Sequence, residues 1–474
     1  MNTNQNTHTM EQESGSRFKL VYPYWTSDEA GFSFPIPNGL HIEIVKWIQT
    51  IHDTGMASRH LRIDIFDELF QKNNSGFYFR HSNFIWHFLR SFSYSDLVKE
   101  EEIINDDNNY IFPIELELQG PNFIVNNQTF ILNNNTYNYS FIDTIPPAII
   151  ELIKKGKVKI LLTNLIDQSI SSEFIHSIGN VFSSKGIDLS NIILAQGNIC
   201  KNYVGKIKQV SGIISLFQAA ELMDKFPFYS GEVGYQSDIV REIDLDANKF
   251  RSKRFLCWNR SMNRPHRLAM AYIALKYNLL EHSIFSFVTS KSKNIKTELE
   301  VYYRYENDFH EKIKQIDKLI PYEVDTHHLS PEEKKGFQTV SINNKDYYLN
   351  SYIHITSETA FDNNINPFFS EKTWRPIMNL QPFIYVGNPH ALKKLRSLGF
   401  KTFSPFIDES YDLIENHVDR LRAIEHEIDK INRLHIDELH NWYCSIKDIL
   451  IHNQQHIRNF KNYNPYDEVF KNGI

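Results

Sequence analysis

Between residues 146 and 403 short, β-branched apolar runs alternate with amphipathic stretches, and glycines punctuate them, a pattern that admits few folds. Pro146-Pro147 opens a helix that runs to Lys155 and is stopped by Gly156. Residues 158–163 form a buried parallel strand, 172–184 a helix ending near Gly186, and 192–195 the next strand. A further helix is expected near 216–223, and the polar, mixed stretch 230–252 reads as a linker. The alternation then resumes, with strands expected at 254–258, 284–288, 352–356 and 382–386. Helices are expected over 267–280, through most of 293–319, from Ser370 to Met378, and up to Leu398 before Gly399. A short edge strand follows at 401–403, and residues 411–460 turn charged and helical.

This pattern predicts an α/β protein with two Rossmann-like domains facing a cleft and a C-terminal helical extension. The expected divisions are a disordered leader (1–17), a first α/β domain (18–245), a second (246–411) and the extension (412–474). Before residue 146 the signals are weaker. Residues 40–51 carry helical spacing, 84–92 form an aromatic buried segment, 111–118 alternate like a strand, and 122–139 resemble an Asn-rich hairpin. That region is expected to decorate a domain core.

Composition narrows the function classes. The formal net charge is −6, which argues against non-specific binding to a nucleic-acid backbone and leaves room for a local basic pocket or groove. The three cysteines, Cys200, Cys257 and Cys444, are too few and too far apart for a disulfide framework. No apolar run approaches the roughly 18 residues that span a bilayer, and the leader is polar. A cytoplasmic protein without a membrane span is expected.

Two runs could carry chemistry, and each directly follows an expected strand or opens an expected helix. In 259–267, Arg260, Arg264, Arg267 and His266 stand at a strand end and a helix start, where guanidinium groups and free N–H groups can cradle a phosphate. In 368–376, Ser370 would cap a helix whose first turn carries Glu371 and Lys372. The carboxylate could accept from ribose hydroxyls while the ammonium neutralises a phosphate. Taken alone, the first run is equally a basic turn and the second a capped surface helix. Trp258 and Trp374 flank the two runs, and packing of the sheet is their more ordinary use.

Together with Ser357-Glu358-Thr359 and the strand 381–387, these runs resemble the nucleotide-binding half of the α1,3-fucosyltransferases of family 10. They are closer still to phage, marine-bacterial and giant-virus glycosyltransferases with the same "NRxxxRPHR" and "SEKTxRPI" pattern. The resemblance covers about 255–412, with a gap of weak similarity between 287 and 352. It implies a GT-B fold and inverting transfer of a sugar from a nucleotide-sugar donor to a glycan hydroxyl. It also implies no bound catalytic metal and no cofactor beyond the donor, for which GDP-fucose is expected. Arg267 would hold the donor diphosphate, Asn259 would end its strand beside it, Glu371 would bind ribose and Lys372 the phosphates. Trp374-Arg375-Pro376-Ile377 departs from the family's tryptophan-Xaa-asparagine-alanine, which leaves the sugar open.

An inverting transfer needs a general base. The family places that carboxylate just after a strand of the first domain, which makes Asp167 the first candidate and Glu173 the second. Asp143, Glu232, Glu115 and Glu117 are further candidates, and a turn or cap is the ordinary use of Asp167. The expected acceptor is a surface glycan or glycolipid precursor. Alternatives are a phage-type enzyme that glycosylates DNA bases or virion protein, a non-catalytic nucleotide- or glycan-binding scaffold, and a helical interaction protein acting through 412–460.

Overall fold

The computed structural model describes residues 18–21, 97–98, 109–115, 128–132, 135–139, 147–164, 172–197, 203–211, 216, 219, 239–246, 248–262, 264–289, 294–322, 345–361 and 367–460. The chain divides into two compact units, and the greater part of the second is Lys208–Ile474.

The first sheet contains β1 (Phe18–Val21), β2 (Leu97–Val98), β3 (Asn109–Glu115), β6 (Val158–Asn164), β7 (Ile192–Gln196), β8 (Tyr203–Val204) and β9 (Ile207–Ser211). Its order is β2-β1-β3-β6-β7-β9-β8, and β1 pairs in parallel with β2 and β3, as does β3 with β6. Helices α1 (Pro147–Lys154) and α2 (Ser172–Ser184) fall where the alternation predicts them. Gly156 takes a φ of +74°, the left-handed turn that ends α1 without a Cβ penalty. β4 (Gln128–Leu132) and β5 (Asn135–Tyr139) form the expected antiparallel hairpin.

One expectation is corrected. β3 does not decorate a core; it lies inside the sheet, paired on both sides, with Tyr110, Ile111 and Phe112 buried. In sequence residues 111–118 read as an alternating strand of a decorating region, whereas β3 holds an interior place even with Pro113 in its middle. The leader 1–17, the segments 40–51 and 84–92, and most of 216–223 lie outside the described residues.

The second sheet is formed by β10 (Lys253–Ser261), β11 (Ile284–Thr289), β12 (Ser351–Ser357) and β13 (Phe383–Val386). All its pairs are parallel, in the order β11-β10-β12-β13. β12 and β13 are buried along their whole lengths, which is why they read as unbroken apolar runs rather than alternating ones. Around this sheet lie α3 (Pro265–Lys276), α4 (Ile295–Tyr303), α5 (Phe309–Leu319), α6 (Lys345–Leu349), α7 (Glu371–Met378) and α8 (Ala391–Ser397). The C-terminal segment supplies α9 (His417–Arg433), α10 (Ile436–Ser445) and α11 (Lys447–Asn459). α3 is buried from His266 to Ala274; Ala269, Ala271 and Ala274 let its neighbours approach closely.

Two further differences from the sequence reading concern segments held by side chains. Residues 401–403 are not a strand. Asn453 of α11 bonds both the N–H and the C=O of Lys401, each at 2.8 Å, and Glu409 takes the N–H of Phe403 at 2.6 Å, so this backbone needs no sheet edge. The stretch read as a linker carries Ile239 and Val240, which join the second core. The N–H of Val240 donates to Asn379 at 3.2 Å, and its carbonyl accepts from Gln454 at 2.8 Å. No helix among the described residues is long and apolar enough to cross a membrane.

Candidate functional site

Counting only the second sheet, its first strand in chain order, β10, lies between the second and the third. The connections after β10 and β12 therefore leave in opposite directions, and a crevice opens at the carboxyl ends of these two strands. The sequence-predicted runs lie at that end. β10 finishes at Ser261 and α3 begins at Pro265, whose missing N–H costs nothing in a first helical turn. β12 finishes at Ser357 and is followed directly by Glu358.

Glu358 joins the two runs. It is fully buried, and its carboxylate accepts from the N–H of Thr359 at 3.1 Å, the N–H of Ser370 at 3.1 Å and the hydroxyl of Ser370 at 2.6 Å. The hydroxyl of Thr373 completes the set. Its backbone carbonyl accepts from His266 Nε2 at 2.8 Å and Arg267 Nη2 at 3.2 Å. One residue thus pins the first turns of both α3 and α7. In sequence Glu358 belongs only to the run that carries the resemblance; its partners Ser370 and Thr373 stand twelve and fifteen residues on, at a spacing no local pattern announces.

Ser370 caps α7 as expected, accepting from the N–H of Lys372 at 3.3 Å. Glu371 and Lys372 follow in the first turn, with Lys372 Nζ 2.7 Å from Glu371 Oε1 and 3.3 Å from Ser370 Oγ. Partial burial works against the Glu371 carboxylate, but the Lys372 ammonium and then the Arg375 guanidinium outweigh it and hold its pKa near 2. Arg267 is buried, so desolvation lowers its pKa, while the charges of Glu358 and Glu371 act in the opposite sense. Arg267 and the Glu371 carboxylate therefore share one electrostatic neighbourhood.

Asn259 is buried near the end of β10. Its amide N–H reaches Cys257 Sγ at 3.3 Å, and its Oδ1 has no hydrogen-bond partner among the described residues. A buried acceptor left open at this crevice suits a hydroxyl donor. Arg264 is half-buried at the N-cap of α3, its carbonyl accepting from Arg267 N at 3.0 Å. The side chains of Arg260 and Glu173, and all of Asp167, Asp143, Glu117 and Glu232, lie outside the described residues, as does the side chain of Glu115.

His266 cannot serve as an acid or base near neutrality. Burial, reinforced by Arg267, brings its pKa down to about 3, and its ring stacks on Phe361 with centroids 5.1 Å apart. Trp374 is fully buried against Phe369 and Phe400, and Trp258 meets Tyr347 edge-on, so both tryptophans pack the sheet. The C-terminal segment reaches this end as well. Arg420 of α9 donates to the carbonyls of Gly387 at 3.1 Å and Phe361 at 3.0 Å, fixing the loops after β13 and β12.

The sequence matches no protein-family model and no curated protein. Among solved structures, the chain is similar to OtsA in its apo form, with 11% identity over 76% of this chain and 72% of that one and a TM-score of 0.33. A trehalose-phosphate synthase (UDP-forming) from Burkholderia vietnamiensis shares 8% identity over 76% and 73%, with a TM-score of 0.32. The GtfA/B complex shares 11% over 72% and 62%, at 0.28. Likeness at that level says nothing of activity, which has to come from the residues.

Proposed function

We propose that this chain is a glycosyltransferase of GT-B type that binds a nucleotide-sugar donor at the carboxyl ends of β10 and β12. The observation that carries this reading is the pinning of Arg267 and the Ser370-Glu371-Lys372 turn to one buried residue, Glu358. Two cations and the Glu371 carboxylate, with the Glu358 carboxylate taken up by internal donors, suit a ligand with both a diphosphate and a vicinal diol. In this reading Glu371 accepts from ribose hydroxyls. Lys372 and Arg267 stabilise the charge that develops on the departing diphosphate, which is the stabilisation a transferase needs without a bound metal. Asn259 Oδ1 takes a donor hydroxyl.

The finer proposal is inverting transfer of fucose from GDP-fucose to a hydroxyl of a glycan or glycolipid, as the family 10 resemblance implies. The acceptor oxygen attacks the anomeric carbon, its proton passes to a carboxylate that follows β6 in sequence (Asp167 or, second, Glu173), and the bond to the diphosphate breaks.

A panel of nucleoside-diphosphate sugars, tested by thermal shift together with donor hydrolysis, checks both levels. A donor bound at a hundred times its Kd should stabilise the fold by about 2.7 kcal/mol. GDP-fucose should both stabilise the wild type and be slowly hydrolysed, while Glu371→Gln and Lys372→Ala should weaken that shift. Stabilisation by another sugar nucleotide alone would correct the sugar. Binding with no turnover in the presence of glycan acceptors would favour the scaffold reading. No shift with any donor would remove the donor-site assignment.

A further inference from the structure

Ser370 has a hydroxyl with one hydrogen and two lone-pair directions, and all three are spoken for. The hydrogen points to Glu358 Oε2 at 2.6 Å, the shorter, charge-assisted contact. The lone pairs then face the backbone N–H of Lys372 and its Nζ, each at 3.3 Å. Were the hydroxyl free to rotate, its hydrogen could swing towards the Lys372 ammonium and repel it. Glu358 prevents this, because a buried carboxylate that already accepts from Thr359, Ser370 N and Thr373 cannot leave its place.

We propose that Glu358 is a positioning residue for Lys372: through the Ser370 hydroxyl it holds the ammonium where a phosphate of the ligand would meet it. Glu358 acts on Lys372 through Ser370, the intermediary that bonds both. The side chain of Lys372 is 20% exposed and its ammonium also pairs with Glu371, itself 31% exposed, so the Ser370 oxygen adds a second, buried point of attachment to a pair that could otherwise move together. Ordering it beforehand lowers the cost of binding a phosphate. The proposal rests on the nucleotide-donor reading for what Lys372 binds, but the chain of contacts from Glu358 to Lys372 can be tested without any ligand.

The ligand-free test is pulsed acetylation of the full-length protein, with the rate at Lys372 read by mass spectrometry against exposed Lys393. Ser370→Ala should raise the relative rate at Lys372 by roughly three- to tenfold, the range expected for one lost hydrogen bond of ordinary net strength. Ser370→Thr, which keeps a hydroxyl, should stay within about twofold of wild type on the same reasoning. Glu358→Gln should match Ser370→Ala, and the double variant should be no faster than the faster single one. The second arm measures GDP affinity. Ser370→Ala and Glu358→Gln should each lose roughly three- to tenfold, but neither should lose more in a Lys372→Ala background.

Should Glu358→Gln fail to fold, Ser370→Ala and Ser370→Thr still test the step from the hydroxyl to Lys372, without which Glu358 has no hold on the ammonium, since neither removes the buried carboxylate. Unchanged labelling in Ser370→Ala, or effects of Glu358→Gln and Ser370→Ala that multiply in the double variant, would overturn the proposal while leaving GDP binding intact. Altered labelling with no GDP binding to the wild type would uphold the hold on Lys372 and remove the GDP-linked donor instead.

Discussion

Lys372 Nζ lies 2.7 Å from Glu371 Oε1, with the two side chains 20% and 31% exposed. Folding brings the Glu371 carboxyl down to about 2 from an ordinary value of 4.5. As pH falls below 4.5 the unfolded chain takes up this proton first, so the pair's contribution is complete above that pH and is lost on the way to 2. Lys372→Met should therefore cost about 1 kcal/mol or less at pH 7, the scale of a partly exposed pair. The gap between wild type and variant in urea midpoint should narrow steadily below pH 4.5. A gap that stays constant down to pH 2.5 would show that Lys372 contributes packing and no charge.

Two buried histidines should dominate the mildly acidic range. His266 is driven to about 3 by burial and then by Arg267; His354, bonded through Nδ1 to Thr356 Oγ1 at 2.9 Å, is driven to about 3 by burial and then by Arg375. Both are neutral when folded and titrate near 6.5 when unfolded, so stability is lost as pH falls from 6.5 towards 3. Well inside that window each histidine should contribute about 1.4 kcal/mol per pH unit to the slope. Urea midpoints from pH 7.5 to 4.5 should show this decline, and His354→Gln should remove about half of it. A wild-type profile that is flat from pH 6.5 to 5 would contradict the buried, neutral state of both rings.

The local chemistry of the second sheet was legible because local rules decide it. Ser370 before Glu371 announces a helix start, and the helix expected from Arg267 begins two residues earlier, at Pro265. The carboxylate between them was not legible as a site residue, because Glu358 serves as a cap for a helix that begins thirteen residues later. The supposed edge strand at 401–403 failed for a related reason. Apolar alternation shows where side chains go and is silent about backbone partners, here the amide of Asn453 and the carboxylate of Glu409. The interior place of β3 depends on strands β1 and β6, which lie far from it in sequence and leave no mark on residues 109–115.

Lys276 ties three elements of the second unit. Its ammonium lies 2.6 Å from Glu306 Oε1, in the turn before α5, and 2.7 Å from Glu425 Oε1 on α9, while Tyr277 donates to the same Glu425 oxygen at 2.9 Å. The Glu425 side chain is 7% exposed, so removing its cation leaves a carboxylate that water can barely reach. Lys276→Met should cost about 2–4 kcal/mol by urea denaturation at pH 7. Glu306→Gln, at a side chain that is 30% exposed, should cost about 1 kcal/mol. Equal costs would mean that burial of Glu425 has no bearing on the network.

Gly399 and His456 meet where α8 ends and α11 passes. Gly399 has a φ of +94°, and a Cβ built on it would stand 2.6 Å from His456 Nε2. That ring is not free to retreat: its Nε2 bonds the carbonyl of Leu398 at 2.7 Å, and the ring meets Phe400 edge-on with centroids 4.7 Å apart. Gly399→Ala thus brings two separable penalties, about 1 kcal/mol for the left-handed backbone and a further 1–3 kcal/mol for overpacking. His456→Ala removes the obstacle but also the bond to Leu398. The double variant should then be less destabilised than the sum of the two single ones, by the overpacking share alone, because the backbone penalty remains. Additive losses in urea midpoint would show that the ring gives way at no cost, and that the strain at Gly399 is in the backbone only.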